Sequence, residues 1–152
     1  MSQEASHNDI TKKRVVYQIP GMDAVTVRRD VEYRPTDAGA LTMDIYYPPD
    51  WKGGARIPAV VFVSGYSDVG FQKMLGCKLK EMASYVSWGQ LTAASGMAAI
   101  TYSAREPATN IDALLQYIRQ NAASLGIDEN RIGLWGCSGN VPNALSVLMA
   151  NT

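Results

Sequence analysis

Hydrophobic and polar residues alternate in two stretches near the N-terminus, and this pattern predicts a β-hairpin with one buried face. The residues between the stretches, "PTDAGA", include the proline, aspartate and glycine that are typical of a turn. A loop rich in proline and glycine, "YPPDWKGGARIP", follows the hairpin. The alternating apolar positions are Val25, Val27, Val31 and Tyr33 in the first stretch and Leu41, Met43, Ile45 and Tyr47 in the second.

The pattern then changes to short runs that are apolar on both faces, which is typical of parallel strands covered by helices on both sides. These runs are Pro58–Gly65, Met97–Ser103 and Arg131–Gly136. Parallel neighbours need a long crossover between them, and helical segments occupy the intervals. The sequence therefore predicts an α/β fold, a three-layer α/β/α sandwich whose sheet is mostly parallel with an N-terminal antiparallel hairpin.

Apolar residues at helical spacing fill both intervals between the parallel strands. The first helix is predicted from Phe71 to about Ser95, and the second from Ile111 to Leu125. Thr109 and Asp112 suit a capping box at the start of the second helix, and Gly126 suits its C-terminal cap. The methionines expected to fill the core are Met74, Met82 and Met97.

A serine stands between the last predicted strand and a final helix, in the stretch "GLWGCSGNVPNAL". Chemistry in open α/β sheets takes place at the carboxyl ends of the strands, which is where Ser138 is predicted to lie. Gly136 and Gly139 leave room for the strand and the helix to approach each other at so tight a turn. The free N–H groups of the helix N-terminus favour developing negative charge, and Pro142 suits the first helical turn. Ser138 is therefore a candidate nucleophile.

The stretch from Asn110 to Leu145 resembles the nucleophile-elbow region of the α/β-hydrolase superfamily, and most of all its dienelactone hydrolase-like and small serine esterase branch. A helix, "LGID", "RIG" and the serine turn follow one another closely in this stretch. The hairpin and "VVFVSGY" also match that fold in order and spacing. The resemblance covers roughly residues 25 to 152 and implies an incomplete α/β-hydrolase fold, its N-terminal half.

The resemblance implies a serine hydrolase that acts on a carboxylic ester and needs no cofactor. Ser138 would be the nucleophile, and the backbone N–H groups of Gly139 and Tyr66 would form the oxyanion hole. Two positions depart from the superfamily pattern: Asn140 replaces the last glycine of G-x-S-x-G, and Ser64 replaces the histidine of a His-Gly pair. Asparagine tolerates unusual backbone angles, so the turn is still expected to form.

The candidate nucleophile has no identifiable base in this sequence. The superfamily order is serine, then acid, then histidine. The only histidine, His7, lies in a polar N-terminal segment and is expected to be a solvated bystander. The resemblance implies that the acid and the histidine belong to later strands, within roughly another hundred residues. These 152 residues by themselves are expected to show little or no esterase turnover.

Other polar residues near the predicted strand ends have less specific interpretations. Arg105 and Glu106 follow the second parallel strand, where they would form either an exposed ion pair in a loop or a border of the substrate pocket. Asp68 is interpreted as a turn residue rather than a catalytic one. Cys137 is expected to be a buried, unreactive thiol, and Cys77 to lie in the core or on a half-buried surface. The sequence contains no cluster with metal-ligand spacing.

Composition narrows the expected partners and location. Lys and Arg number 14, as do Asp and Glu, so no net charge draws the chain to nucleic acid or anionic lipid. No apolar run approaches the ~20 residues of a membrane-spanning helix. The N-terminus lacks the apolar segment of a secretory signal, so a cytoplasmic location is expected. Residues 1–20 are interpreted as a flexible tail and residues 21–152 as the half-domain.

Two other functions stay open. One is non-catalytic: a fragment or half-fold that assembles with copies of itself. The other is a peptidase of the same superfamily, which would differ in substrate. On each interpretation the predicted strand Arg131–Gly136 would be a sheet edge with unpaired N–H and C=O groups, and such edges recruit another chain. We therefore expect a homo-oligomer, or association with a missing C-terminal half.

Overall fold

A mixed five-stranded sheet lies between two layers of helices in the computed structural model, which describes residues 9–150. The strands are β1 (Thr26–Arg34), β2 (Leu41–Tyr47), β3 (Ile57–Phe62), β4 (Ala98–Tyr102) and β5 (Ile127–Trp135). The α-helices are α1 (Asp68–Leu75), α2 (Ala83–Ala94), α3 (Pro107–Gln120), α4 (Ala122–Leu125) and α5 (Val141–Ala150). Short 3₁₀ turns cover Ile10–Lys12, Met22–Ala24, Leu79–Glu81 and Ser138–Asn140.

The strand order is β1-β2-β4-β3-β5, and it confirms the predicted α/β fold with its N-terminal hairpin. Strands β1 and β2 are antiparallel, and so are β2 and β4, whereas β3 runs parallel to both β4 and β5. The carboxyl ends of the three parallel strands therefore face the same side of the sheet. That side carries two loops that matter below: the β3 loop (residues 63–67) and the elbow loop (residues 136–140).

Two apolar cores, one on each face of the sheet, confirm the three-layer arrangement. Helices α3, α4 and α5 cover one face, and α1 and α2 cover the other. Each fully buried aliphatic or aromatic side chain stabilises the fold by about 1.5–3 kcal/mol relative to exposure. The first core includes Met43, Ile45, Ile100, Tyr102, Ile111, Leu114 and Ile118. The second core includes Tyr46, Phe62, Phe71, Leu79, Met82 and Tyr85.

The prediction of a single helix over residues 71–95 is wrong, because the chain breaks twice between α1 and α2. Gly76 ends α1 in the left-handed conformation (φ 80°), which glycine adopts without the steric penalty of a Cβ. A 3₁₀ turn follows, and it buries the Lys80 ammonium 3.0 Å from carboxylate oxygens of both Asp30 and Asp44. This ion pair fixes the turn against the hairpin and leaves α2 to start afresh at Ala83.

The second predicted helix, residues 111–125, is correct in type, but the chain starts it earlier and divides it at Asn121 into α3 and α4, which ends at Leu125 as predicted. Helix α3 begins at Pro107 rather than Ile111, because proline with its preset φ suits the first helical position. Thr109 lies inside the helix, so the predicted capping box is wrong. Gly126 adopts the predicted left-handed cap (φ 70°). Strand β5 starts earlier than predicted, at Ile127.

The structure tests the predicted burial of the three methionines and describes part of the predicted N-terminal tail. Met82 is buried in the core as predicted and Met97 is half-buried, but Met74 lies on the outer face of α1 with 70% of its surface exposed, so its prediction is wrong. Arg14 donates to Gln90 at 2.7 Å, which places part of the predicted tail beside α2. His7 lies outside the described residues, and the flexibility of residues 1–20 stays a prediction.

Candidate active site

Ser138 occupies a strained turn between β5 and α5. Strand β5 ends at Trp135, the 3₁₀ turn begins at Ser138, and α5 follows at Val141. The φ angle of Ser138 is +53°, a value that residues with a Cβ rarely adopt and that clusters at functional sites. The side chain is exposed at the carboxyl edge of the sheet. This confirms the predicted placement of Ser138, and the geometry is that of a nucleophile elbow.

The elbow loop and the β3 loop touch backbone to backbone at Gly65. A Cβ on Gly65 would lie 2.8 Å from the Cα of Asn140 and closer still to the carbonyl oxygen of Gly139. The amide of Val63, at the start of the β3 loop, donates to the carbonyl of Trp135 at 2.8 Å and extends the β3–β5 pairing toward the site. Only glycine permits this approach, whereas a Cβ on Gly136 would meet ordinary contacts of 3.5 Å.

Tyr66 and Gly139, whose amides are the predicted oxyanion donors, lie on these two touching loops. A Cβ on Gly139 would come within 2.6 Å of Tyr66 Cζ and closer still to the phenol oxygen, so the Tyr66 ring lies over Gly139. The Tyr66 amide is 3.4 Å from Ser64 Oγ, a distance typical of a weak hydrogen bond. The structure thus brings the two residues together, and their role as oxyanion donors stays a prediction.

Asn140 connects the two loops through its side chain. Its Oδ1 accepts from the Gly65 amide at 2.6 Å, and its Nδ2 donates to Tyr85 Oη at 3.2 Å and to the Cys137 carbonyl at 3.1 Å. The residue is buried, with 4% of its surface exposed. The left-handed φ of the elbow lies at Ser138 and not at Asn140. The asparagine therefore acts through its carboxamide rather than through tolerance of an unusual backbone angle.

The two cysteines differ in exposure. Cys137 is exposed next to Ser138, so the prediction of a buried thiol there is wrong. The residue lies in the elbow loop, after β5 has ended at Trp135 and left the buried part of the sheet. Cys77 is half-buried, as expected, and burial raises the pKa of its thiol.

Arg105 and Glu106 lie at the end of β4, beside the hairpin turn. The Arg105 guanidinium donates to Thr36 Oγ1 at 2.9 Å and to the Ala38 carbonyl at 2.7 Å. Both residues line a cavity of about 450 Å³ between that turn and the start of α3. Ser138 is not among the residues that line this cavity. A role for Arg105 and Glu106 at the substrate pocket stays a prediction.

Asp68 is a buried carboxylate that joins the β3 loop side of the site to the chain after β4. Its Oδ2 accepts from the Ala104 amide at 2.8 Å, and its own amide donates to the Ala104 carbonyl at 2.8 Å. Burial raises the pKa of Asp68, and the bond from Ala104 partly offsets that shift. This reciprocal pairing agrees with the expectation of a structural role in the loop rather than a catalytic one.

The sequence did not reveal that two buried tyrosines, Tyr102 and Tyr85, hydrogen-bond to residues of the β3 loop and the elbow loop. The Ser64 amide donates to Tyr102 Oη at 2.9 Å, and Asn140 reaches Tyr85 Oη. Burial raises the pKa of both phenols. Tyr102 lies in a buried strand and Tyr85 is a buried residue of α2, and only the folded chain shows that their hydroxyl groups reach the site.

Residues 9–150 contain neither a metal-binding cluster nor a membrane-spanning helix. In this part of the chain no three His, Cys, Asp or Glu side chains are grouped to hold a metal ion. Over the same residues no helix is long and apolar enough to cross a bilayer.

Comparison with solved structures shows the same fold in esterases. A bacterial heroin esterase superposes with a TM-score of 0.66 at 20% identity, over 86% of this chain and 41% of its own. Native Est2 esterase from the Planctomycetes species Thermogutta terrifontis gives 0.58 at 24% identity, over 82% and 44%. A truncated carbohydrate esterase from gut microbiota gives 0.58 at 24%, over 78% and 41%.

These likenesses establish the fold and its extent. The chain spans less than half the length of the three esterases, so it corresponds to an incomplete α/β-hydrolase fold. No protein-family model matches the chain, and no curated protein sequence matches it significantly. The five-stranded sheet and its helices therefore have the α/β-hydrolase architecture, with Ser138 at the turn that follows β5.

Proposed function

We propose that this chain is part of a cytoplasmic serine hydrolase that cleaves a carboxylic ester, of the dienelactone hydrolase-like or small esterase type. The observation that carries the proposal is the left-handed Ser138 at an elbow packed against the glycine of the β3 loop. Esterases among the structural neighbours support it, and one, Thermogutta terrifontis esterase 2, is phosphorylated by paraoxon.

In the proposed reaction, Ser138 Oγ attacks the ester carbonyl carbon and the carbonyl π electrons move to the oxygen. The amides of Gly139 and Tyr66 hold the resulting oxyanion, a contribution of ~3 kcal/mol for each donor. A histidine oriented by a carboxylate takes the serine proton and gives it to the alcohol as the ester C–O bond breaks, which leaves Ser138 acylated. A water molecule that gives its proton to the same histidine then attacks the acyl carbon, and release of the carboxylic acid returns that proton to Ser138. We place that histidine and acid in polypeptide beyond these 152 residues, because His7 is the one histidine in them.

Ester hydrolysis and covalent labelling test this proposal together. Hydrolysis of p-nitrophenyl acetate and labelling by a fluorophosphonate are measured for the 152-residue chain and for a longer product that includes the acid and histidine. Each is compared with Ser138→Ala and with Ser146→Ala, which removes an exposed serine of α5 as a matched control. We expect turnover and labelling in the longer product that Ser138→Ala abolishes and Ser146→Ala preserves.

Three outcomes contradict different parts of the proposal. A longer product without Ser138-dependent labelling contradicts the hydrolase itself and favours the non-catalytic half-fold. Robust Ser138-dependent turnover by the short chain contradicts the external base and makes His7→Ala the next variant. Faster cleavage of a matched amide than of its ester assigns a peptidase instead.

The free edge of the sheet supports a further part of the proposal, the partner. Strand β5 is the last strand in the order, and neighbouring α5 exposes Leu145 and Leu148, 51% and 54% of whose surfaces face solvent. We propose that a second copy covers this edge in the 152-residue chain, and that the C-terminal half covers it in a longer product. Sedimentation of the short chain as a monomer of 16.5 kDa would contradict the self-association.

A further inference from the structure

Asn140 stands where the resembled G-x-S-x-G motif has its last glycine, and its carboxamide is bonded on both sides. The 2.6 Å bond from the Gly65 amide reaches into the β3 loop, and the bond to the Cys137 carbonyl returns to the elbow loop. The bond to Tyr85 Oη anchors the same group to helix α2. A side chain that is 4% exposed and bonded to three separate segments has one accessible orientation.

The position of Gly65 decides where the neighbouring Tyr66 amide lies. Gly65 is bound on one side by Asn140, and its Cα faces the backbone of Gly139 and Asn140 at distances that exclude a Cβ. An amide donor stabilises an oxyanion only when it is held in place before the reaction. Because the peptide after Gly65 carries the Tyr66 amide, restraint of Gly65 also restrains that donor relative to Ser138.

We propose that Asn140 is a positioning residue: its carboxamide holds the β3 loop against the elbow loop and so sets the spacing between the Tyr66 amide and Ser138. The catalytic part of this inference rests on the proposed function, whereas the mechanical part does not. On this account Asn140 replaces the last glycine of the motif because its carboxamide connects the two loops. We call the three hydrogen bonds of the Asn140 carboxamide, to Gly65, Tyr85 and Cys137, the Asn140 clamp. A glycine at position 140 keeps the turn but loses all three bonds.

Hydrogen exchange in the 152-residue chain tests the clamp without any need for activity. Asn140→Gly restores the glycine motif, and we expect the Gly65 amide to exchange at least about tenfold faster. The Val63 amide, which bonds to Trp135 and not to Asn140, serves as the internal reference and is expected to be unchanged. Asn121→Gly removes an asparagine whose Nδ2 bonds to the Tyr117 carbonyl and is the matched control.

Two conservative variants separate the clamp from a general loss of folding. Asn140→Asp keeps an oxygen that accepts from Gly65, so it is expected to retain more Gly65 protection than Asn140→Gly. Tyr85→Phe removes the α2 anchor but leaves the carboxamide in place, so a smaller acceleration is expected. Equal exchange of Gly65 in wild type and Asn140→Gly, with Val63 still protected, would overturn the clamp.

The catalytic part is tested by steady-state kinetics of the longer product. A displaced oxyanion donor affects the transition state more than substrate binding, so Asn140→Gly should lower kcat by about tenfold or more with KM little changed. Fast Gly65 exchange with unchanged kcat would overturn the positioning role. If wild type shows no Ser138-dependent turnover, the proposed hydrolase fails and so does the catalytic role of Asn140, while Gly65 exchange still decides the clamp.

Discussion

The carboxyl edge of the sheet and its lateral edge, formed by β5 and α5, are built in opposite ways. At the carboxyl edge the β3 loop and the elbow loop are in backbone contact, and Gly65 has no room for a methyl group. At the lateral edge a Cβ on Gly133 of β5 would find its nearest neighbour 3.9 Å away, and Leu148 of α5 is more than half exposed. The carboxyl edge is therefore closed, in the sense that its backbone leaves no room for a further carbon atom, whereas the lateral edge is open to solvent.

This difference teaches which part of the molecule depends on additional polypeptide. The carboxyl edge is held by contacts within residues 9–150: the Asn140 clamp joins its two loops, and the Ser64–Tyr102 bond and the Asp68–Ala104 pairing hold the β3 loop side. The lateral edge exposes apolar side chains and a strand with one paired side, which is typical of surfaces that another chain covers.

The largest expected effect comes from placing the same methyl group at both edges. Gly65→Ala should destabilise the chain by about 3 kcal/mol, because the Cβ collides with backbone that cannot rotate away. Gly133→Ala should be neutral or stabilising by up to about 1 kcal/mol, because alanine loses less conformational entropy than glycine on folding. Urea unfolding at equal protein concentration measures both. Similar losses at the two positions would erase the contrast between the edges.

A lysine on α5 tests the open edge. Leu148→Lys should change the unfolding free energy of the monomer by no more than about 0.5 kcal/mol, because the side chain is already half in solvent. Self-association of the 152-residue chain should weaken on the order of tenfold, since a buried charge costs at least that much at an apolar contact. Sedimentation equilibrium measures the change. Gln116→Lys on the exposed face of α3 adds the same single positive charge and is the control, and equal weakening by it would contradict a role for α5.

Much of the fold could be predicted because its signals are local. The alternation of apolar and polar residues predicted both hairpin strands, and continuous apolar runs predicted β3 and β4, which carry buried residues on both faces. Gly76, which ends α1, is a local signal, but the 3₁₀ turn after it could not be predicted from periodicity, because that turn buries Lys80 against Asp30 and Asp44, which are distant in sequence. Helical spacing alone does not report such long-range pairs.

The site divides in the same way. The placement of Ser138 follows from a strand, a turn and a helix that are adjacent in sequence. The exposure of Cys137 and the bonds of Asn140 to α2 and the β3 loop are properties of the folded chain that no local pattern reports. Arg105 illustrates the limit: its place after β4 was evident, but its bonds to the hairpin turn were not.

A smaller effect is expected where the clash at the carboxyl edge involves a side chain instead of backbone. Gly139→Ala would press against the Tyr66 ring, which is 42% exposed and free to swing outward. The loss of stability should stay below about 1 kcal/mol, and Tyr66→Ala should relieve most of it in the double variant. A double-mutant cycle by urea unfolding measures this coupling. Additive losses would mean that Tyr66 does not lie over Gly139 in solution.

The smallest effects concern one aspartate at each edge, and they should have opposite signs. Burial raises the pKa of Asp68, so the folded state holds its proton more tightly than the unfolded state. Stability from this group is present below the unfolded pKa of about 3.9 and is lost as pH rises through the folded pKa. Asp68→Asn should therefore match wild type near pH 3 and be more stable at pH 7, by no more than about 1 kcal/mol, because its amide oxygen still accepts from Ala104.

Asp128 of β5 gives the matched case at the lateral edge. Its bond from Arg131 and that from the Asn130 amide lower its pKa, so it contributes stability above the unfolded pKa that is lost as pH falls. Asp128→Asn should thus be slightly less stable than wild type at pH 7, with the difference vanishing in acid. Thermal unfolding from pH 3 to pH 7 measures both variants. Because burial raises the pKa of Asp68 whereas bonds from Arg131 and the Asn130 amide lower that of Asp128, a shared sign would contradict these two environments.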